Sequence, residues 1–162
     1  MSALVVPAAD LLGSPGKQRP FEGTFDASLR FGDVTVDGPV RVSGMVTGQL
    51  DSVRADFTTS AVASLVCNRC LHDWEDEVSV EGTQFFRTTP DEDGYGLADD
   101  SLDIVPPALD ELALALPSAP LCRQECKGLC PTCGTDLNRA PCDGHPADSE
   151  SPFAALKDLF DS

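Results

Sequence analysis

Seven cysteines in a chain of 162 residues constrain this fold more than any other feature. Four of them, between Leu121 and Asn138, have the spacing C-x3-C-x3-C-x2-C. Two more form "CNRC" at Cys67 and Cys70, and the last is Cys142. An odd number of cysteines would leave one thiol over in a complete disulfide framework. In a reducing compartment, clustered cysteines more often bind metal than bridge one another.

The start of the chain, "MSALVVPAADLLGSPG", does not have the features of a targeting segment. No Lys or Arg precedes its apolar residues, and Pro7 and Asp10 interrupt them. The apolar runs of the chain are far too short to cross a bilayer. We therefore expect a cytoplasmic protein with reduced thiols and no membrane partner.

Zinc is the metal that this cysteine pattern favours. Structural zinc takes four tetrahedral ligands and prefers thiolates, and a C-x2-C turn directs two sulfurs at one ion. In "CPTCG", Pro131 stiffens the turn, and Gly134 permits the positive φ needed after the second ligand. The candidate ligands are Cys67, Cys70, Cys122, Cys126, Cys130, Cys133, Cys142 and His145. Eight ligands suffice for two ions, so we expect one or two structural Zn²⁺.

The spacing leaves two divisions of these ligands open. The preferred division joins the "CNRC" pair to Cys122 and Cys126, and assigns the remaining three cysteines, with His145 or water, to a second ion. The rival joins the two C-x2-C pairs in one ribbon-like site. His72 is interpreted as a surface residue of the hairpin and not as a ligand.

An enzymatic role is not indicated. The H-x-E and H-E-x-x-H patterns of catalytic zinc sites are absent, and no glycine loop suited to phosphate is present. We expect no catalytic residue and no small-molecule substrate. Thiol redox chemistry at "CNRC" is the enzymatic alternative, but a redox C-x-x-C usually lies between a strand and a helix. A thiol of low pKa at Cys67 would favour that alternative.

Alternating apolar residues predict strands through the first half of the chain. Val40, Val42 and Val46 have strand spacing, and the glycines between and after them suggest bends or bulges. A long strand is predicted from Val53 to Val66. "DWEDEVSVEGTQFF" predicts another, with Trp74, Val78 and Val80 on its apolar side, so "CNRCLH" must form the hairpin turn. These strands predict a curved antiparallel sheet or a small barrel.

The second half changes character at an acidic stretch. "TTPDEDGYGLADDSLD" predicts a solvated, flexible loop, and Leu109, Leu112 and Leu116 then repeat with helical spacing that suits core packing. The chain is thus predicted to be α+β and mainly β, with a short helix and a cysteine-rich zinc-binding segment. The predicted regions are an extended N-terminal segment (1–20), a β-rich core (21–120) containing the acidic loop (88–103) and the helix (about 107–116), a knuckle segment (121–145), and a linker with a C-terminal amphipathic helix (146–162).

Net charge restricts the partners. Asp and Glu total 27 against 11 Lys and Arg, a formal net charge of −16. RNA binding needs a basic face, and the four cations near the cysteines are accompanied by three carboxylates and by negatively charged thiolate sites. The cations are Arg69, Arg123, Lys127 and Arg139, and the carboxylates are Glu125, Asp136 and Asp143. We expect a basic protein partner, with direct RNA contact left open.

"CNRCL", "DELALALPSAPLC", "CKGLCPTCGTDLN" and "PFAALKDLF" together resemble the YceD family, the large ribosomal RNA subunit accumulation proteins. The likeness covers nearly the whole chain. It implies a role in synthesis, processing or stability of 23S rRNA, no known catalysis, and a link to a large-subunit ribosomal protein. With the acidic charge, we expect the partner to be a ribosomal protein, or a ribonuclease with its rRNA precursor. The family's cysteine motifs fall on all seven cysteines. Many relatives close with C-x-C, whereas this chain has "CDGH", so His145 is the substitute ligand. An interaction module unrelated to ribosomes is the alternative.

Overall fold

The computed structural model describes residues 4–89, 94–142 and 144–145. Its elements are β1 (Val5–Pro7), β2 (Gln18–Phe31), β3 (Val34–Gly48), β4 (Ser52–Val66), β5 (Asp73–Arg87), β6 (Tyr95–Gly96), β7 (Ser101–Asp103) and α1 (Val105–Ala115). The prediction of a mainly β fold with a short helix is confirmed. The linker and helix predicted for 146–162 lie outside the described residues.

Four long strands form the body of the protein. Strands β2 to β5 follow one another as an antiparallel meander, and β6 adds to β5 in parallel, which gives a sheet of order β2-β3-β4-β5-β6. The sheet curls into a half-barrel. The buried apolar residues of these strands form one core with residues of α1, β1 and β7.

The two-residue alternation decides which side chains face that core. On β4 the odd-numbered residues from Val53 to Leu65 are buried, and Cys67, just beyond the strand, continues the same register with no exposed surface. On β5, Trp74 and Val78 pack against the core as predicted, and Val80, predicted on the same side, is half-buried. The predicted strand over Val53 to Val66 therefore agrees with β4 to within one residue. The six residues "CNRCLH" form the hairpin turn between β4 and β5.

Gly44 and Gly48 of β3 have a different role from the predicted one. The register shift between β3 and β4 falls between Thr35 and Val40, ahead of the glycines that were expected to make bulges. At Gly44, a Cβ atom would lie 2.2 Å from the backbone oxygen of Asp56 on β4. Gly44 is therefore needed because the two backbones approach closely there.

Helix α1 packs against β5 and β4. It begins two residues before the predicted start because both prolines fit in its first turn, where amides have no intrahelical acceptor. Leu112 is fully buried and Leu116 is 9% exposed, which confirms the core-packing role of the leucine stripe. Within the described ranges, no helix is both long and apolar enough to span a membrane.

Two segments outside the predicted strands and helix contribute to the core: the N-terminal segment, predicted to be extended, and the acidic segment, predicted to be a flexible loop. In the N-terminal segment (1–20), β1 pairs with β7, and Val6 faces Leu102 in that ladder. Val6 is 4% exposed, and Leu11 and Leu102 are fully buried. The acidic segment (88–103) accordingly contains β6 and β7, although its residues 90–93 are not described. Neither stretch could bury these side chains alone, and pairing them completes the core.

Candidate metal centres

Four thiols meet where the β4–β5 turn contacts the chain that follows α1. The turn supplies Cys67 and Cys70, and the following segment supplies Cys122 and Cys126. All four sulfurs lie within 4.8 Å of one another. The Sγ atoms of Cys67 and Cys126 are 3.8 Å apart, and those of Cys70 and Cys122 are 3.6 Å apart. We call this group site 1.

A second group lies further along the chain and is more exposed. Site 2 consists of Cys130, Cys133, Cys142 and His145, whose ligand atoms again lie within 4.8 Å of one another. The Sγ atoms of Cys133 and Cys142 are 3.7 Å apart, and the Nε2 atom of His145 is 3.0 Å from the Cys142 sulfur. Cys130 is buried whereas Cys133 is exposed.

These distances suit a tetrahedral ion. With metal–sulfur bonds of about 2.3 Å, the edge of a regular tetrahedron is about 3.8 Å, close to the sulfur separations in both sites. A disulfide would need about 2.05 Å, and all seven cysteines are free thiols. Both donor sets, four thiols in site 1 and three thiols with an imidazole in site 2, occur in structural zinc sites. The two sites therefore fit metal ions.

The structure brings the eight candidate ligands together in the groups of the preferred division. The two C-x2-C pairs do not share a site in the described part of the chain, so the rival ribbon-like pairing is not what the fold forms. His72 is exposed and belongs to neither group, as interpreted from the sequence. Its carbonyl accepts a hydrogen bond of 2.8 Å from the amide of Cys67.

Backbone hydrogen bonds place the ligands within each turn. In site 1, the amide of Leu71 donates to the carbonyl of Cys67 at 2.9 Å, which closes the loop between the two ligands. In site 2, Cys130 donates to Thr135 at 2.8 Å and Gly134 donates to Cys130 at 2.9 Å. Gly134 has a φ of +72°, which confirms the predicted left-handed conformation after the second ligand.

The cysteine segment is also attached to the hairpin turn directly. The amide of Asn68 donates to the carbonyl of Pro120, and the amide of Leu129 donates to the carbonyl of Arg69, both at 3.0 Å. The Arg69 guanidinium donates at 3.0 Å to the carbonyl of Cys126. Site 1 therefore joins two pieces of chain that already share hydrogen bonds at the same place.

The pKa values of two site 1 thiols, Cys67 and Cys122, are shifted in opposite directions. Burial raises the pKa of Cys67, but backbone amides of Cys122, Cys70 and Arg69 outweigh it and bring the pKa to about 6. Burial, with the neighbouring thiol of Cys70, raises the pKa of Cys122 to about 12. A metal ion needs thiolate ligands, so binding must release the proton of Cys122 at neutral pH.

Site 2 has one acidic thiol on its exposed side. The hydroxyl and the amide of Thr135, followed by His145, lower the pKa of Cys133 to about 6. The same contact with Cys133, followed by Cys130, raises the pKa of His145. A metal ion would displace one of the two ring protons of a charged His145, since only the neutral ring binds metal.

Sequence reasoning missed Asn138, which contacts a ligand of site 1. The side-chain amide nitrogen of Asn138 donates to the sulfur of Cys126 at 3.4 Å. Burial raises the pKa of Cys126. The backbone amide of Gly128, and then the Asn138 side chain, outweigh burial and lower that pKa. The only sequence signal is a polar residue a few positions after the last C-x2-C cysteine, which is too common to identify such a contact.

Comparison with known proteins gives relatives without an assigned activity. An uncharacterized protein of Mycobacterium leprae is 33% identical over 131 residues, which is 75% of this chain and 59% of that protein. One from Mycobacterium tuberculosis strain H37Rv is 30% identical over 176 residues, 98% of this chain and 82% of its own length. Uncharacterized protein YlbN of Bacillus subtilis is 34% identical over 110 residues, 64% of each.

This chain thus spans less than two thirds of the Mycobacterium leprae relative. No solved structure matches it significantly. The family model described as "Large ribosomal RNA subunit accumulation protein YceD" matches residues 55–160, a range that begins in β4 and includes both metal sites. On that match, and in agreement with the sequence resemblance, the chain belongs to the YceD family.

Proposed function

We propose that this protein is a non-enzymatic, cytoplasmic ribosome-biogenesis factor that promotes 23S rRNA accumulation or processing, carries structural zinc and acts through a protein partner. The family match over residues 55–160 is the observation that supports the ribosomal role, because the family is named for accumulation of the large ribosomal RNA subunit. The metal sites lie inside that match.

In this proposal the zinc ions hold residues 121–145 against the half-barrel. The buried hydrophobic residues of that segment are Cys126 and Cys130, both of them candidate ligands. A segment with so little apolar burial needs ligands to fold. Zinc would supply only charge and coordination here, because four protein ligands at each ion leave no open position for a substrate.

The charges around the sites favour a basic protein partner over direct contact with RNA. Arg69 is engaged by the carbonyls of Gln124 and Cys126, and Arg139 pairs with Asp136 at 3.4 Å. A zinc ion with four thiolates has a net charge of about −2, and one with three thiolates about −1. The cations near the sites are therefore offset by the sites themselves.

The outer face of β5 extends the negative field. Glu75, Glu77 and Glu81 are exposed on that strand, and Asp37 is exposed on β3. Together with a formal net charge of −16, these carboxylates disfavour phosphate and favour lysine- and arginine-rich protein surfaces. Ribosomal proteins and the nucleases that trim rRNA include such surfaces. The proposed partner is therefore a basic ribosomal protein or a ribonuclease.

A thiol oxidoreductase gains one supporting feature, the low pKa of Cys67. A redox thiol must also be reached by its substrate, and Cys67 has no exposed surface. A lowered thiol pKa equally assists metal binding, since the ligand is the thiolate. Metal analysis with thiol titration separates the two: about two zinc ions and no rapidly reactive thiol support the structural role, and a metal-free, reactive Cys67 supports the redox role.

Ribosome profiles of a deletion strain test the ribosomal role. We expect reduced 23S rRNA and fewer large subunits, restored by the wild-type gene and by Ser118→Ala, a matched variant at an exposed position before the metal segment. Cys122→Ser, which removes a ligand of site 1, should restore neither. Normal 23S levels in the deletion strain would overturn the ribosomal role and leave the unrelated interaction module as the better hypothesis.

Affinity capture from growing cells tests the partner. Capture of a basic protein that persists after ribonuclease treatment and weakens as salt increases is expected, because charge attraction between exposed groups is screened. RNA that stays bound after the proteins are stripped away would instead indicate direct RNA contact, contrary to the proposal.

A further inference from the structure

Asn138 connects the two metal sites. It lies between the site 2 ligands Cys133 and Cys142 in sequence, yet its side chain reaches site 1. Its amide nitrogen donates to the sulfur of Cys126 at 3.4 Å, and its Oδ1 atom accepts from the amide of Lys127 at 2.8 Å. One side chain thus contacts both a ligand sulfur and the backbone beside that ligand.

The loop that carries the site 2 ligands orients Asn138. The carboxylate of Asp136 accepts from the backbone amide of Asn138 at 2.9 Å and from its side-chain nitrogen at 2.8 Å. Asp136 in turn pairs with Leu129 in an isolated β-bridge, and the neighbouring Thr135 accepts from the amide of Cys130. The conformation that aims Asn138 at site 1 is therefore the conformation that assembles site 2.

We propose that Asn138 couples the two sites, so that metal in site 2 raises the metal affinity of site 1, and the reverse. The inference rests on the metal sites of the proposed function and adds how they depend on each other. Asn138 acts as a positioning residue: its donated hydrogen bond stabilises the thiolate of Cys126 and fixes the direction of that ligand. Coupling between two binding equilibria is reciprocal by thermodynamic necessity.

The expected size follows from other metal sites. Loss of a partner that hydrogen-bonds a metal ligand typically lowers metal affinity about 10- to 100-fold. Emptying site 2 should loosen residues 130–142 and release Asn138, so it should lower the affinity of site 1 by a similar factor. Without the Asn138 side chain, most of that dependence should disappear.

Metal titration of the full chain tests this coupling. Co²⁺, which substitutes for zinc, reports a four-thiolate and a three-thiolate site by different absorption bands, and a competing chelator gives each affinity. We compare the wild type, a site 2 variant (Cys133→Ser with His145→Ala), Asn138→Ala, and all three changes together. The site 2 variant and Asn138→Ala should each weaken site 1 about tenfold or more, and the combination little further.

Two matched variants exclude a merely structural effect. Gln18→Ala removes an exposed side-chain amide from β2, a strand that supplies no metal ligand, and it should leave site 1 affinity unchanged. Asn138→Asp keeps an oxygen acceptor for the Lys127 amide but cannot donate to sulfur, so it should weaken site 1 at least as much as Asn138→Ala. Full rescue by Asn138→Asp would show that Asn138 acts only through the backbone.

Additive losses in the combined variant, or a site 1 affinity unaffected by emptying site 2, would overturn the coupling while leaving the ribosomal role intact. A wild-type chain that binds no metal would overturn the metal premise of both proposals. Amide exchange of β2 to β5 accompanies each titration, and unchanged protection of these strands shows that each variant retains the half-barrel. A variant that loses that protection while site 1 affinity falls would count against the coupling.

Discussion

The half-barrel and the cysteine segment are stabilised in different ways. In the half-barrel, alternate residues of long strands bury apolar side chains against one another and against α1. Val53, Phe86 and Leu112 are among the fully buried side chains. In residues 121–145, the buried hydrophobic residues are two cysteines, and no strand or helix forms among the described residues. One region is therefore held by burial, whereas the other has a few hydrogen bonds and, in the proposed function, metal ligands.

The two regions should therefore lose stability in different ways when one component is removed. Burying one large apolar side chain contributes about 1.5–3 kcal/mol, so the half-barrel depends on many small terms. A structural zinc site contributes about 10–16 kcal/mol in zinc-finger peptides at neutral pH, so the cysteine segment, with zinc bound as proposed, would depend on one or two large terms. Loss of a single component should be graded in the first region and abrupt in the second.

Metal removal should have the largest effect. After exhaustive chelation under reducing conditions, we expect residues 121–142 to lose amide protection, because their ligands no longer hold them to the β4–β5 turn, while β2 to β5 keep theirs. Hydrogen exchange with and without added Zn²⁺ measures this. Equal protection of residues 121–142 in the two states would show that the segment folds without metal.

Leu112→Ala should weaken the half-barrel by an intermediate amount. Leu112 is fully buried between α1 and the sheet, so truncation leaves a cavity and should lower the free energy of unfolding by about 2–5 kcal/mol. Denaturant unfolding followed by circular dichroism measures the loss. The matched control is Leu114→Ala on the same helix, where the side chain is 83% exposed and little change is expected. Equal losses for the two variants would contradict this account of the core.

Thr59→Val should have the smallest effect, and a favourable one. Thr59 is fully buried on β4, and its hydroxyl has no hydrogen-bond partner among the described residues. Valine has the same shape without the polar group, so stability should rise by about 1 kcal/mol. The control is the neighbouring, outward-facing Thr58→Val, with no comparable gain expected. Destabilisation by Thr59→Val, in the same unfolding measurement, would show that the hydroxyl is satisfied in solution.

Local patterns predicted the parts of the fold that depend on neighbouring residues. Alternation predicted β4 and the inward side of β5, because a strand repeats every two residues whatever it packs against. The knuckle at Cys130 and the left-handed Gly134 followed from the short C-x2-C turn for the same reason. The start of α1 was misplaced because proline excludes the interior of a helix and not its first turn.

Contacts between distant residues were harder to predict. The pairing of β1 with β7 joins stretches about 95 residues apart, and neither is long enough to be recognised alone. The same is true of Gly44, whose role depends on the backbone of β4, and of Asn138, whose role depends on the position of Cys126. Each of these roles appears only when the second partner is in place.

The sequence by itself determined that this chain alternates through a curved sheet, places a cysteine pair in its sheet hairpin and supplies eight candidate ligands for one or two metal ions. These properties are encoded within a few residues, where spacing fixes direction. The tertiary structure alone decided which cysteines meet. It also decided that β1 and β7, in the N-terminal and acidic segments, complete the core. Ligand grouping depends on the path of the whole chain, because α1 packs against β4 and β5 and the segment that follows it contacts the β4–β5 turn.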